Sequence, residues 1–167
     1  MDEFIKNLRL AQELNNDIKN HGLHENEQNS GDIVFDFLIS DNELRWETRN
    51  LYLNGHYTQA IEESCKLLER IVREKANLMD ADFFGKKLMD KVFSANNPII
   101  LLNTGTTQSE KDEREGYRSI LSGFMQGIRN PRAHASGKND SKHEAIKIIA
   151  FIDFLISLIR AGNSKHS

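Results

Sequence analysis

The sequence predicts an all-α fold, and three observations carry that prediction. Only two prolines, Pro98 and Pro131, occur in 167 residues, so long stretches lack the residue that most readily breaks a helix. Apolar side chains recur at three- and four-residue spacing in one segment after another, the period of a single helix face. Twice a serine is followed three residues later by a glutamate, at Ser40 with Glu43 and at Ser141 with Glu144, the pattern of a capping box that opens a helix.

Residues 2–20 carry Phe4, Leu8, Ala11, Leu14 and Ile18 as a helical stripe. The polar, glycine-bearing stretch from Asn20 to Gly31 reads as a linker. Residues 1–30 are therefore expected to be an additional N-terminal helix and linker, with the main domain over 31–162 and a flexible tail over 163–167. Residues 33–39 are apolar and short, and pattern alone leaves strand and buried helix equally open. Ser40 and Glu43 predict a helix running to about Leu53, which Gly55 ends.

A longer helix follows, with Tyr57, Ala60, Ile61, Ser64, Cys65, Leu68, Ile71 and Val72 on one face. Glu62 with Lys66 and Glu69 with Arg73 are expected as i,i+4 ion pairs on its solvated side. Residues 85–94 form a short amphipathic helix around Leu88, Met89, Val92 and Phe93, residues 98–103 are apolar again, and 104–109 read as a loop. The next helix, 111–129, aligns Tyr117, Ile120, Leu121, Phe124, Met125 and Ile128. Pro131 either stands in the first turn of a new helix or breaks the old one, and both options put a bend there.

After a polar loop over 135–140, Ser141 and Glu144 open a last helix that is apolar nearly all round, from Ile146 to Ile159. That exceeds what one bundle face requires. A central position would account for it, as would burial against a second copy, and a homodimer is the expectation.

A chain of this length is expected to form one domain with a sizeable core. No run of 18 apolar residues is present and the first residues lack the pattern of a signal peptide, so no membrane association is expected. The single cysteine, Cys65, lies on an apolar helix face and is expected as a buried small hydrophobe. A cytoplasmic protein follows from these features. The net charge of −3 conceals an asymmetry: residues 1–65 hold 13 acidic and 5 basic side chains, and residues 66–167 hold 12 acidic and 17 basic ones.

The basic part contains Arg129-Asn130-Pro131-Arg132-Ala133-His134, the stretch richest in chemistry. An arginine keeps its proton and its planar fork matches phosphate oxygens. A histidine gives or takes a proton near neutral pH. Together they suit chemistry on a phosphodiester, although both would also serve simply as cations near a helix C-terminus, worth ~0.3–1 kcal/mol each. Glu63 and Lys66, three residues apart, either line a cleft with them or form a plain surface ion pair. Arg132 reads as a substrate clamp.

Other chemistries find little support. His21 and His24 have metal-like spacing but sit in the polar stretch without clustered ligands, so no metal and no cofactor are expected. No glycine-rich loop precedes a lysine and a hydroxyl residue, and no Gly-x-Ser-x-Gly occurs.

Several segments together resemble the HEPN superfamily and, within it, the Ymh-type bacterial proteins. Gly55-His56-Tyr57 with Ala60, Glu63, Lys66 and Glu69 is similar to the long helix of that group, and Gly85-Lys86-Lys87-Leu88-Met89 to its next block. Glu115-Gly116-Tyr117-Arg118 and the stretch from Gly127 to His134 resemble its closing motif, the likeness covering about residues 40–160. The resemblance implies a bundle of four to five helices acting as a metal-independent endoribonuclease, a toxin or anti-phage effector that dimerises so that two Arg-x4-His motifs face one another. It implies catalytic roles for Arg129, Asn130 and His134, an RNA substrate (tRNA or mRNA), and an antitoxin or other regulatory protein partner. A non-catalytic module that binds a nucleotide, RNA or protein is the other reading. One departure stands out. Some HEPN toxins carry a tyrosine two residues after the histidine, modified by an antitoxin, where this chain has Ser136.

Overall fold

The protein is represented by a computed structural model that describes residues 27–134 and 139–164. It is an all-α bundle, and residues from Phe35 onward form one compact unit. Helix α1 spans Glu27–Leu38, which resolves residues 33–38 as helix and starts inside the stretch expected to be linker. The N-terminal stripe over 2–20 lies outside the described residues. At the end of α1, Phe35 and Ile39 are fully buried, and the Phe35 ring lies 5.0 Å from that of Tyr52.

Helix α2 spans Asn42–Leu53, and its cap corrects one expectation. Asp41, rather than Ser40, accepts the free N–H groups of Glu43 and Leu44, at 3.1 and 3.0 Å. A carboxylate suits this position because it adds charge at the positive end of the helix dipole. Ser40 is engaged elsewhere: its hydroxyl donates to the buried Asp153 at 2.7 Å, and the Ser40 and Asp41 N–H groups donate to the other oxygen of that carboxylate. Gly55, at φ +81°, makes the left-handed turn that ends α2, and α3 follows as Tyr57–Ala76.

Helix α3 is the centre of the bundle. It packs on α2 and on the last helix, and buries Ile61, Leu67, Leu68 and Val72 completely. Each such side chain stabilises the fold by roughly 1.5–3 kcal/mol relative to remaining exposed. Cys65 is 1% exposed and behaves as the small hydrophobe expected. Helix α4 spans Gly85–Val92. The apolar stretch after it contributes strand β1, Ile100–Leu101, which pairs antiparallel with β2, Asn163–Ser164. The first two residues expected as a free tail are thus tied to the bundle.

Helix α5 starts earlier than expected, at Gln108, because Thr107 and Glu110 form a capping box of their own. It runs to Phe124 and passes into a single π-helical turn, Met125–Arg129, in which the Asn130 N–H donates to the Met125 carbonyl five residues back. Helix α6, Asn130–His134, continues from it. The backbone stays helical into the segment where a bend was expected: Phe124 and Asn130 both keep right-handed helical dihedrals. Pro131 has no N–H to give and its ring crowds the preceding turn, and the widened turn just before it accommodates that ring. Helix α7, Lys142–Ala161, opens with the expected Ser141–Glu144 capping box. It buries Ile149, Ile152, Leu155, Ile156 and Ile159 fully, yet leaves Phe151 and Phe154 partly exposed.

Candidate functional site

Helical spacing brings Glu62, Cys65, Lys66 and Glu69 onto one side of α3. The π turn and α6 lie against that side. Arg129, the last residue of the π turn, directs its Nε to 3.7 Å from Glu69 Oε1, and its Nη1 lies 3.5 Å from the Asn130 side-chain oxygen. The Arg129 side chain remains 26% exposed while that of Glu69 is only 9% exposed, so the carboxylate lies beneath the guanidinium. Glu62, Cys65, Lys66, Arg129 and Arg132 line a small recess of about 40 Å³ at this point.

Glu69 has a second obligation. Its Oε1 accepts the buried Gly85 N–H at 2.8 Å, which fixes the start of α4 against α3. Gly85 has φ +51°, and a Cβ there would lie 3.6 Å from Glu69 Oε1 and 3.7 Å from the Asn130 oxygen. Left-handed backbone, rather than lack of space, therefore accounts for glycine at this position. Arg73 shapes the approach to it. Its guanidinium donates to the carbonyls of Leu78 at 3.2 Å and Ala81 at 2.8 Å and also to that of Phe83, and lies 4.4 Å from the centre of the Phe84 ring. The expected surface pair of Glu69 with Arg73 is thereby corrected, because both residues are buried and each serves a different neighbour. Lys66 pairs with Glu63, at 2.8 Å, rather than with Glu62.

Lys66 is well exposed at the rim of the recess. Its hydrogen bond to Glu63 raises its pKa above the ordinary lysine value, burial and the nearby Arg129 charge opposing that rise. Burial pushes the Cys65 thiol up to about 12, so it presents no thiolate nucleophile to the recess.

Arg132 is placed differently from the substrate clamp expected of it. Its side chain is 4% exposed and its Nε donates to Asp140 at 3.0 Å, with Nη2 on the other carboxylate oxygen and Nη1 on the Ile128 carbonyl at 2.8 Å. Asp140, 1% exposed, also exchanges hydrogen bonds with Thr58 at the start of α3, accepting from its hydroxyl and donating its own N–H, both at 3.0 Å. A buried arginine committed in this way has little left to offer a phosphate. It joins α6 to the segment leading into α7.

His134 is the last residue of α6, and its side chain lies outside the described residues. Along the continuous helical path it stands five residues beyond Arg129, a rise of about 7.5 Å. The structure thus brings Arg129, Asn130 and Lys66 together, with Glu63 held beside Lys66, and turns Arg132 inward. Sequence reasoning missed Glu69 and Gly85 as parts of this site. One signal was present: Glu69 lies four residues after Cys65, on the edge of the apolar stripe of α3, where a charge calls for a buried partner.

Among the described residues no cluster of three or more histidine, cysteine, aspartate or glutamate side chains could hold a metal ion, and no helix is long and apolar enough to cross a membrane. No curated protein and no solved structure matches the chain. A family model described as "Protein of unknown function (Hypoth_ymh)" matches residues 40–159, a span from the Ser40 contact with Asp153 to the end of α7 that includes the Arg129 site. The chain belongs to this Ymh family.

Proposed function

We propose that the protein is a metal-independent endoribonuclease of the HEPN type, a toxin or anti-phage effector that cleaves RNA at the Arg129–His134 segment. The observation that carries the reading is Arg129 itself, a partly exposed guanidinium seated on the buried Glu69 and beside Asn130, with Lys66 at the same rim. A permanent cation anchored on its inner side and open on its outer side suits the non-bridging oxygens of a phosphodiester. In the reaction the ribose 2′-oxygen attacks phosphorus and the bond to the 5′-oxygen breaks. His134 takes the 2′-hydroxyl proton, and the leaving oxygen receives a proton from the counterpart histidine of a second copy. The products are a 2′,3′-cyclic phosphate and a 5′-hydroxyl. Asn130 orients the reacting groups, and Lys66, paired with Glu63, adds positive charge along the path of the strand.

A second copy also fits the outer surface of α5 and α7. Phe151, Phe154 and Ile120 are 40%, 46% and 42% exposed on neighbouring helices. Beside them α5 and the π turn carry Gly116, Gly123 and Gly127, where a Cβ would meet nothing within 4 Å among the described residues. Helical glycine costs about 1 kcal/mol relative to alanine, and no contact among the described residues explains it. Room for the backbone of another copy does. An antitoxin or regulator is a further partner under this reading. The other reading, a non-catalytic binding module, draws on the overall net charge of −3, since strong RNA binders are usually basic.

The test is cleavage of total tRNA and a structured mRNA by the wild type and by His134→Ala, in EDTA, with fragment ends read for cyclic phosphate. Cleavage by the wild type alone is expected, and Arg129→Ala should cut ~10²–10³-fold more slowly. Equal cleavage by a folded His134→Ala protein refutes the mechanism. Binding without any cleavage product favours the module.

A further inference from the structure

A second recess lies beside the proposed cleavage site. Its volume is about 380 Å³ and its walls include His56, Tyr57, Thr58, Gln59, Asn139 and Asp140. Arg132 lines the first recess and Asp140 lines this one, and the two side chains are hydrogen-bonded to each other. The buried pair is therefore a wall shared by both recesses. The chemistry on its two sides differs. The Arg129 side presents the cations Arg129 and Lys66 beside the Glu62 carboxylate. The far side presents an imidazole, a phenol ring and two amides, and the one carboxylate among its described residues, Asp140, is occupied by Arg132 and Thr58.

Among the described residues no lysine or arginine lines this recess, which argues against a second anion site. A neutral, flat ligand with a hydrogen-bonding edge fits better. Unpaired RNA bases are recognised by stacking on aromatic and imidazole rings and by hydrogen bonds along their edges. Asparagine and glutamine amides pair in a bidentate manner with the N6 and N7 edge of adenine. Gln59 and Asn139 are exposed at the mouth of the recess, and neither amide is engaged by another described residue.

We infer that this recess receives an unpaired adenine base next to the phosphate held by Arg129, so that the protein selects where a single strand is cut. The inference rests on the ribonuclease reading for its RNA ligand and adds the base-recognition subsite.

The experiment measures binding of two fluorescent 2′-O-methyl hexamers, one all adenine and one an abasic backbone of equal length, by anisotropy in EDTA at fixed salt. Neither can be cleaved through a 2′-hydroxyl. The wild type should bind the adenine hexamer about tenfold or more tightly than the abasic one, the worth of one good bidentate contact. The folded double variant Gln59→Ala/Asn139→Ala should lose that preference and keep its affinity for the abasic backbone. Arg129→Ala should weaken both hexamers alike and preserve their ratio. Equal affinity of the wild type for the two hexamers, or an unchanged preference in the double variant, overturns the inference. A preference that survives Arg129→Ala with no loss of affinity leaves the base subsite standing and removes the phosphate role of Arg129. No binding of either hexamer by the wild type overturns both.

Discussion

The buried pair of Arg132 and Asp140 makes the sharpest energetic prediction. Their side chains are 4% and 1% exposed, and Asp140 receives two hydrogen bonds from the guanidinium and one from Thr58. Asp140→Ala strands a cation in the interior, and removing one partner of such a pair costs about 3–5 kcal/mol. For a chain of this size that corresponds to a fall in Tm of roughly 6–20 °C, at about 2–4 °C per kcal/mol. Whole-domain stability is typically about 5–15 kcal/mol, so the single variant is expected to fold only marginally. Arg132→Met/Asp140→Leu removes both charges while keeping volume, and replacements of this kind are often neutral. Urea unfolding of wild type, Arg132→Met, Asp140→Leu and the double variant gives the coupling directly: the double variant should lie closer to wild type than either single one. Two single variants that each lose less than about 1 kcal/mol, with additive effects, would refute the buried-pair account. The same double variant tests Arg132 as a clamp, since a fold restored without RNA affinity would return Arg132 to the substrate.

Three further outcomes follow from neighbouring contacts. Glu69→Gln keeps an oxygen for the Gly85 N–H and removes only the charge facing Arg129, whereas Glu69→Ala leaves that buried N–H unpaired. Alanine should therefore cost about 1–3 kcal/mol more than glutamine by urea midpoint, and equal losses would show that the Gly85 tie contributes nothing. Burial pushes the Cys65 thiol up to about 12, so native protein at pH 8 should react with Ellman's reagent only as fast as it unfolds. Immediate labelling at the rate seen in urea would contradict its burial. The Thr107 backbone N–H and the Thr106 and Thr104 hydroxyls lower Glu110 to about 2, from an ordinary 4.5. Its contribution is complete above pH 4.5 and fades as pH falls toward 2, so Glu110→Gln should flatten the pH dependence of stability in that window. An unchanged acid profile would mean the cap does not tie Glu110 to folding.

Helices and their order were legible because apolar period, capping pairs and scarce prolines are local signals. Ser141 with Glu144 opens α7 as the pattern requires, and Gly55 closes α2 where a left-handed residue is needed. Ser40 shows the limit of the same rule. Its pattern fits a cap, yet Asp153, 113 residues away on α7, takes its hydroxyl, and the adjacent Asp41 caps instead. Residues 33–39 stayed open because a short apolar run carries no period, and only packing of Phe35 against Tyr52 distinguishes the outcome. The inward placement of Arg132 is hidden from the sequence for a related reason. An arginine beside an Arg-x4-His motif and an arginine held inside by a distant aspartate have the same local sequence.

The π turn explains why the placement of Arg129 at an open rim could not be read from spacing. In an uninterrupted α-helix Arg129 would fall four residues after Met125 and eight after Leu121, on the stripe that those two fully buried side chains drive into the core. A guanidinium cannot remain there unpaired. The π turn inserts one extra residue per turn, which rotates everything after it by about 100° relative to a plain helix. Arg129 is thereby carried to the rim, where Glu69 receives its inner edge and solvent its outer one. Pro131 follows two residues later, at the point where the widened turn gives its ring space. The backbone irregularity that makes the proline tolerable is therefore the same one that aims the arginine, and neither residue alone in the sequence specifies it.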